Sequence, residues 1–186
     1  IWQLRCYDNQ LTTLDLSNLS NLEDLRCGGN LLTSLDVSNN LELIDLRCQS
    51  NLITELDVTD NLLLERLSCD NNLLTSLTLG NNTAMTMLDC YTNQLVELDV
   101  SSLSSLESFL VSGNNLSCLN MKNGNNTSLN QCQGFGNPNL TCIEVDDSLW
   151  FYTYFLVFFD SGTTVSTDCA NACSWYLDVN ETANLD

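Results

Sequence analysis

Cysteine is the residue in this chain whose chemistry and spacing first call for an explanation. Cys6, Cys27, Cys48, Cys69 and Cys90 recur every 21 residues, Val111 takes the next place, and Cys132 falls on the same count. Thiols could bind a soft metal, oxidise to disulfides, or serve as small hydrophobes. A zinc site needs clustered ligands of the CxxC kind, which the ladder lacks. Five thiols cannot all pair, and an apolar valine substitutes in the column, so we expect reduced, inert thiols packed in a core. The other cysteines, Cys118, Cys132, Cys142, Cys169 and Cys173, crowd into the last third, as a stapled cap in an oxidising, extracellular setting would require.

A second chemistry lies in the arginines. Four of the five basic residues, Arg5, Arg26, Arg47 and Arg66, fall in two adjacent columns of the 21-residue period, next to Asp24 and Asp45. Guanidinium groups bind carboxylate or sulfate through two parallel hydrogen bonds, so this face is a candidate site for a carboxylate-bearing protein surface or an acidic glycan. The simpler reading is local neutralisation by the two aspartates, worth about 0–1 kcal/mol per surface pair. Tyr7 and Tyr91 share a column nearby and could stack on sugar rings. A further column, Asp15, Asp36, Asp57 and Asp99, offers hard oxygens on successive repeats. It lacks the dense ligand loop of a dedicated calcium site, so we read it as a solvated face. Histidine is absent, and we find no nucleophile motif, phosphate loop or paired carboxylates, so no catalytic residue, metal or cofactor is expected.

These residues are positioned by a repeat. Ile1, Leu22, Leu43, Leu64, Met85 and Leu106 open each unit, and Leu4, Leu25, Leu46, Leu67, Leu88 and Phe109 follow three places on. After the cysteine comes an asparagine column, Asn9 through Asn114, and then leucine or isoleucine two places later. In LxxLxCxxNxL the last strand residues alternate inward and outward, which suits a short strand with one face buried. One 21-residue unit closes no core, but units stacked about 4.8 Å apart cover each other. The asparagine amide is suited to bond backbone groups leaving the strand. A near-copy of the pattern, Leu14-Asp15-Leu16 and its successors, fills the second half of each unit. Because both halves read alike, the sequence does not fix which lines the concave side; we favour the cysteine half.

LxxLxCxxNxL followed by Leu32-Thr33-Ser34-Leu35-Asp36-Val37-Ser38 resembles the leucine-rich repeats of bacterial surface proteins, in particular the 21-residue, cysteine-laddered internalin type. That resemblance implies a mainly β, curved solenoid of short parallel strands with little helix. We divide the chain into six repeats over residues 1–126, an irregular seventh at 127–145 carrying three extra residues, a cap at 146–175 and a tail at 176–186. The segment Asn137–Asp147 with Ser166–Cys169 is similar to the end of leucine-rich arrays in secreted Bacteroidota proteins. There it implies a cap disulfide between Cys142 and Cys169, with Cys118 to Cys142 as the rival, and a tail that links to a sorting domain. Ile1 occupies a core position with no polar cap before it, so we expect preceding residues that hold any export signal.

The chain has 186 residues, with 24 acidic and five basic side chains and a net charge of −19. Such a charge repels nucleic acid and anionic lipid, which we exclude as partners. No run reaches the roughly 18 apolar residues of a membrane span, so membrane insertion is not expected. The departure from the repeat family is Leu149–Phe159, LWFYTYFLVFF, which holds seven of the 14 aromatics. Part of it must cover the last repeat. The rest, with Trp150, Phe151, Phe155, Phe158 and Phe159 as candidates, would form an interface for self-association. Two functions follow: a secreted or cell-surface binding and adhesion module that recognises protein or glycan through its repeat face, or a structural subunit that assembles through its cap.

Overall fold

In a computed structural model, residues 1–169 are described; Cys173 and the tail from 176 to 186 lie outside the described residues. Thirteen three-residue strands follow the chain: β1 Gln3–Arg5, β2 Asp24–Arg26, β3 Asp45–Arg47, β4 Glu55–Asp57, β5 Arg66–Ser68, β6 Ser76–Thr78, β7 Met87–Asp89, β8 Glu97–Asp99, β9 Ser108–Leu110, β10 Cys118–Asn120, β11 Gln131–Gln133, β12 Cys142–Glu144 and β13 Thr164–Ser166. Among the described residues there is one α-helix, α1, at Ser148–Tyr154. All strand pairs are parallel.

The cysteine halves build a continuous seven-stranded sheet in the order β1-β2-β3-β5-β7-β9-β11, while the second halves form a four-stranded sheet, β13-β12-β10-β8, and a separate pair, β4-β6. Between the two walls the leucine columns are wholly buried: Leu22, Leu43, Leu64 and Leu106 in one, Leu25, Leu46, Leu67 and Leu88 in the next. Each fully buried leucine contributes about 1.5–3 kcal/mol, and it does so only because the next repeat covers it. Cys27, Cys48, Cys69 and Cys90 lie in the same core as free thiols, and Cys6 is half-buried at the first rung. Burial raises the thiol pKa throughout the ladder, with Cys27 pushed up to about 12 by burial and by the charge of Cys6.

The asparagine ladder closes the turn after each strand. The amide of Asn51 donates to the Cys27 and Cys48 carbonyls at 3.1 and 3.0 Å, and its Oδ1 accepts from the Leu32 backbone N–H at 3.0 Å. Asn72 and Asn93 repeat this pattern one rung apart. The residue before each asparagine adopts the left-handed conformation, with φ between 53° and 66° from Asp8 through Gly113, so the chain reverses there. A second ladder was not foreseen. Asn40 and Asn61 are buried on the opposite side, and their amides donate to backbone carbonyls of the preceding repeat, Leu19 at 2.8 Å and Asn40 at 2.9 Å respectively.

The seventh repeat differs from its expected register. Cys132 pairs with Phe109 and so stands in the leucine column, not in the cysteine ladder. Two extra residues enter at the 3-10 turn Asn126–Ser128, ahead of the strand, and shift every later column: Leu129 follows Leu106, and Asn137 follows Asn114. The ladder place falls to Gly134, where an added Cβ would lie 2.1 Å from the Phe159 ring. The cap aromatic occupies the space that a cysteine side chain would fill. Pro138 supplies the third extra residue, after which Ile143 pairs with Leu119.

The cap begins at Asp147, whose carboxylate accepts from the Leu149 and Trp150 N–H groups at 3.0 Å and starts α1. Phe151 lies on α1, Phe155 caps its C-terminal end and Phe159 follows the 3-10 turn Leu156–Phe158; all three turn into the core, with the Phe151 ring centroid 5.8 Å from that of Phe155 and 5.9 Å from that of Phe159. These three are therefore core, which removes them from the interface candidates Trp150, Phe151, Phe155, Phe158 and Phe159. Trp150 is half-buried and Phe158 is partly exposed. Cys142 and Cys169 form a disulfide that ties β12 to the end of the described chain; Cys118 is disulfide-bonded as well, so the rival pairing of Cys118 with Cys142 does not form.

Candidate functional site

Because the seven-stranded sheet is in strict register, the two outward columns form continuous strips. One runs Gln3, Asp24, Asp45, Arg66, Met87, Ser108, Gln131, and the other runs Arg5, Arg26, Arg47, Ser68, Asp89, Leu110, Gln133. Arg5, Arg26, Arg47, Arg66, Asp24 and Asp45 are thereby brought together on β1, β2, β3 and β5. Tyr7 is exposed at the first rung and Tyr91 is half-buried at the fifth, so the two tyrosines do not form one site.

The arginines lie side-on against the aspartates. Arg47 donates Nε and Nη2 to the two oxygens of Asp45 at 3.0 and 2.9 Å, and Arg26 grips Asp24 in the same way at 3.0 and 3.2 Å. Arg66 Nε donates to Asp45 at 3.2 Å, and Arg26 Nη2 stands 3.9 Å from it, so one carboxylate joins three guanidinium groups. The Asp45 side chain is only 6% exposed, whereas the arginine side chains remain 30–50% exposed. Burial pushes the Asp24 carboxyl up, but hydrogen bonds from Arg26 and Gln3 and the charges of Arg26 and Arg5 outweigh it and leave the pKa lowered. The hydrogen bond to Asp45 raises the pKa of Arg47.

Neutralisation is thus present but incomplete. Four guanidinium groups meet two aspartates on these strands, with Glu65 3.5 Å from Arg66 at the margin. A guanidinium has five N–H donors, and the side-on grip uses two. Arg5 makes a single ion contact, at 4.0 Å to Asp24. The aspartates hold the arginines in place and leave outward donors at the repeat spacing.

Farther along the same face the charge reverses. Asp70 and Asp89 lie close together; Tyr91 donates its hydroxyl to Asp70, and Asn71 donates to it at 2.7 Å. The Asp89 carboxyl is pushed up to about 6, first by burial and then by the charge of Asp70, and its Oδ1 finds no hydrogen-bond partner among the described residues. Sequence columns contained both residues without signalling the pair, since they belong to different columns and different repeats. Among the described residues there is no group of three or more side chains suited to hold a metal ion, and no helix is long and apolar enough to cross a membrane.

No protein-family model and no curated protein matches the chain. Among solved structures it is similar to the functional domain of InlJ from Listeria monocytogenes, described as including a cysteine ladder, with 33% identity and a TM-score of 0.69 over 78% of this chain and 36% of that one. The internalin InlF from Listeria monocytogenes strain 4b F2365 matches at 22% identity and a TM-score of 0.62, over 92% of this chain and 48% of that one. The second likeness is one of fold alone, and the chain spans at most about half of either protein. Repeat length, thiol column and continuous parallel sheet agree with the first: the chain is an internalin-like leucine-rich repeat protein of the cysteine-ladder type.

Proposed function

We propose that this chain is a non-catalytic binding and adhesion module of a secreted or cell-surface protein, and that it holds its partner on the face of the seven-stranded sheet. The observation that carries this reading is the arginine–aspartate strip, a fixed set of outward cationic donors in a molecule that is otherwise strongly acidic. The sheet also supports the choice of face. A solenoid bent towards one wall keeps the strands of that wall at pairing distance and stretches the other, and the second wall is split into two pieces. On this reading the cysteine half is the concave side.

The test is adhesion of the labelled chain to a panel of cell surfaces and matrix proteins, with two variants. Arg26→Ala with Arg47→Ala should abolish adhesion, whereas Asp36→Ser with Asp57→Ser on the opposite wall should preserve it. Equal adhesion by both variants overturns the choice of face. The rival reading, assembly through the cap, rests on Leu149, Tyr152 and Val157, each at least 65% exposed, near the exposed Phe135. Concentration-dependent sedimentation that disappears in Tyr152→Ser with Val157→Ser would put that reading first.

A further inference from the structure

Exposed leucines are concentrated at the same repeats as the arginines. Leu31, Leu52 and Leu73 stand in one column, immediately after the ladder asparagines, at the turn where β2, β3 and β5 leave the sheet; each is 40–45% exposed. Leu41, Leu62 and Leu63, 49–54% exposed, precede β3 and β5 at the opposite ends of the strands. In other repeats the column of Leu31, Leu52 and Leu73 carries Gln10, Gln94 and Asn115, and the column of Leu41 and Leu62 carries Ser20, Thr83 and Ser104; Leu63 stands one place on, where the other repeats carry Asn21, Glu42, Ala84 and Ser105. The repeat fold therefore does not demand leucine at either place. Leucine rows thus stand at both ends of the strands that carry Arg26, Arg47 and Arg66.

A cationic strip bordered by apolar rows selects a ligand chemistry. A sulfated or uronic glycan would satisfy the guanidinium groups but would leave six leucines without an apolar counterpart. A protein surface that carries carboxylates with aliphatic side chains beside them satisfies both. We infer, resting on the sheet-face reading above, that the partner is a protein whose docking segment combines Asp or Glu with leucine-like side chains, and that it seats over β2, β3 and β5. Carboxylates of the segment take the outward Nη donors of Arg26, Arg47 and Arg66, with Arg5 at the margin. Asp24 and Asp45 position those donors. The overall charge of −19 does not forbid an acidic partner, because charges beyond about 8 Å are screened at physiological salt and the local excess decides.

The test uses two fluorescent 12-residue peptides with the same leucine content, one with glutamate and one with lysine at the charged positions, and heparin as a sulfated glycan, all at physiological salt. Anisotropy gives affinity, and amide shifts of the 15N-labelled chain give the location. The glutamate peptide should bind, the lysine peptide should not, and shifts should centre on residues 24–73. Arg26→Gln with Arg47→Gln should weaken binding at least tenfold. Leu31→Gln, Leu52→Gln and Leu73→Gln, which install the residue that the column carries at Gln10 and Gln94, should do the same with unchanged thermal stability. Heparin binding that ignores the leucine variant, equal binding of both peptides, or no binding of the glutamate peptide overturns the assignment of partner and leaves the sheet face standing. Shifts on α1 or on the opposite wall overturn the sheet face itself.

Discussion

Asp89→Asn offers the sharpest test of the electrostatics of the sheet face. In the folded chain the Asp89 carboxyl is pushed up from 3.8 to about 6, first by burial and then by the charge of Asp70. The native state therefore takes up the proton first. This group's contribution to stability is fully present below about pH 4 and is lost as pH rises through 6. For a group cut off from water, that displacement corresponds to about 3 kcal/mol. Asp89 is only half-buried, and solvent screening reduces the figure to about 1 kcal/mol. Asparagine keeps the shape, removes the charge and can donate to Asp70. At pH 7.5 the variant should be more stable by about 1 kcal/mol, which for a chain of this length raises Tm by about 2–4 °C. At pH 4 the advantage should vanish, since the wild-type carboxyl is then protonated as well. Calorimetric scans of both proteins from pH 4 to 8 measure the difference directly, and titration of the other carboxylates cancels between them. A variant less stable at pH 7.5, or a difference that does not change with pH, would refute the reasoning.

The remaining predictions concern the core. Asn51→Ala leaves the Leu32 N–H buried without its partner and takes one of two amide donors from each of the Cys27 and Cys48 carbonyls, which keep Asn30 and Asn72, and should cost about 1–3 kcal/mol in urea unfolding; Asn9→Ala, at the exposed first rung, should cost less than about 1 kcal/mol. Gly134→Ala drives a methyl into the Phe159 ring and should destabilise the cap by about 1–3 kcal/mol, with most of the loss recovered when Phe159→Val is added. Native-state alkylation with iodoacetamide at pH 8, read by peptide mass, should modify half-buried Cys6 first and leave Cys27, Cys48, Cys69 and Cys90 unmodified until the chain unfolds. Modification of Cys48 at the rate of the denatured protein would show that the ladder breathes.

Periodicity reads well where the period holds. The buried leucines, the asparagine turns and the outward strips were all legible because each residue type answers the same environment 21 positions later. It fails where an insertion shifts the count. Cys132 lies at the right number and in the wrong column, and only the joint displacement of Leu129 and Asn137, each 23 places after its predecessor, marks the change. One coincidence in number is weaker than two chemically different columns moving together. The aromatic run was misread for a related reason. Composition marked part of it as surplus apolar surface, while the spacing of four between Phe151 and Phe155, preceded by Asp147 as a helix cap, carried the information that a helix would turn those two inward; Phe159, beyond the helix and the 3-10 turn, takes the space over Gly134. At the site the residues were legible, but their state was not: column positions set Arg26 beside Asp24, whereas a side-on grip that still leaves donors outward is a matter of torsions and of rungs held at pairing distance. The exposed leucines were equally in view, and no column rule singles them out, because their meaning lies in departing from the repeat at three of the four repeats that carry the arginines.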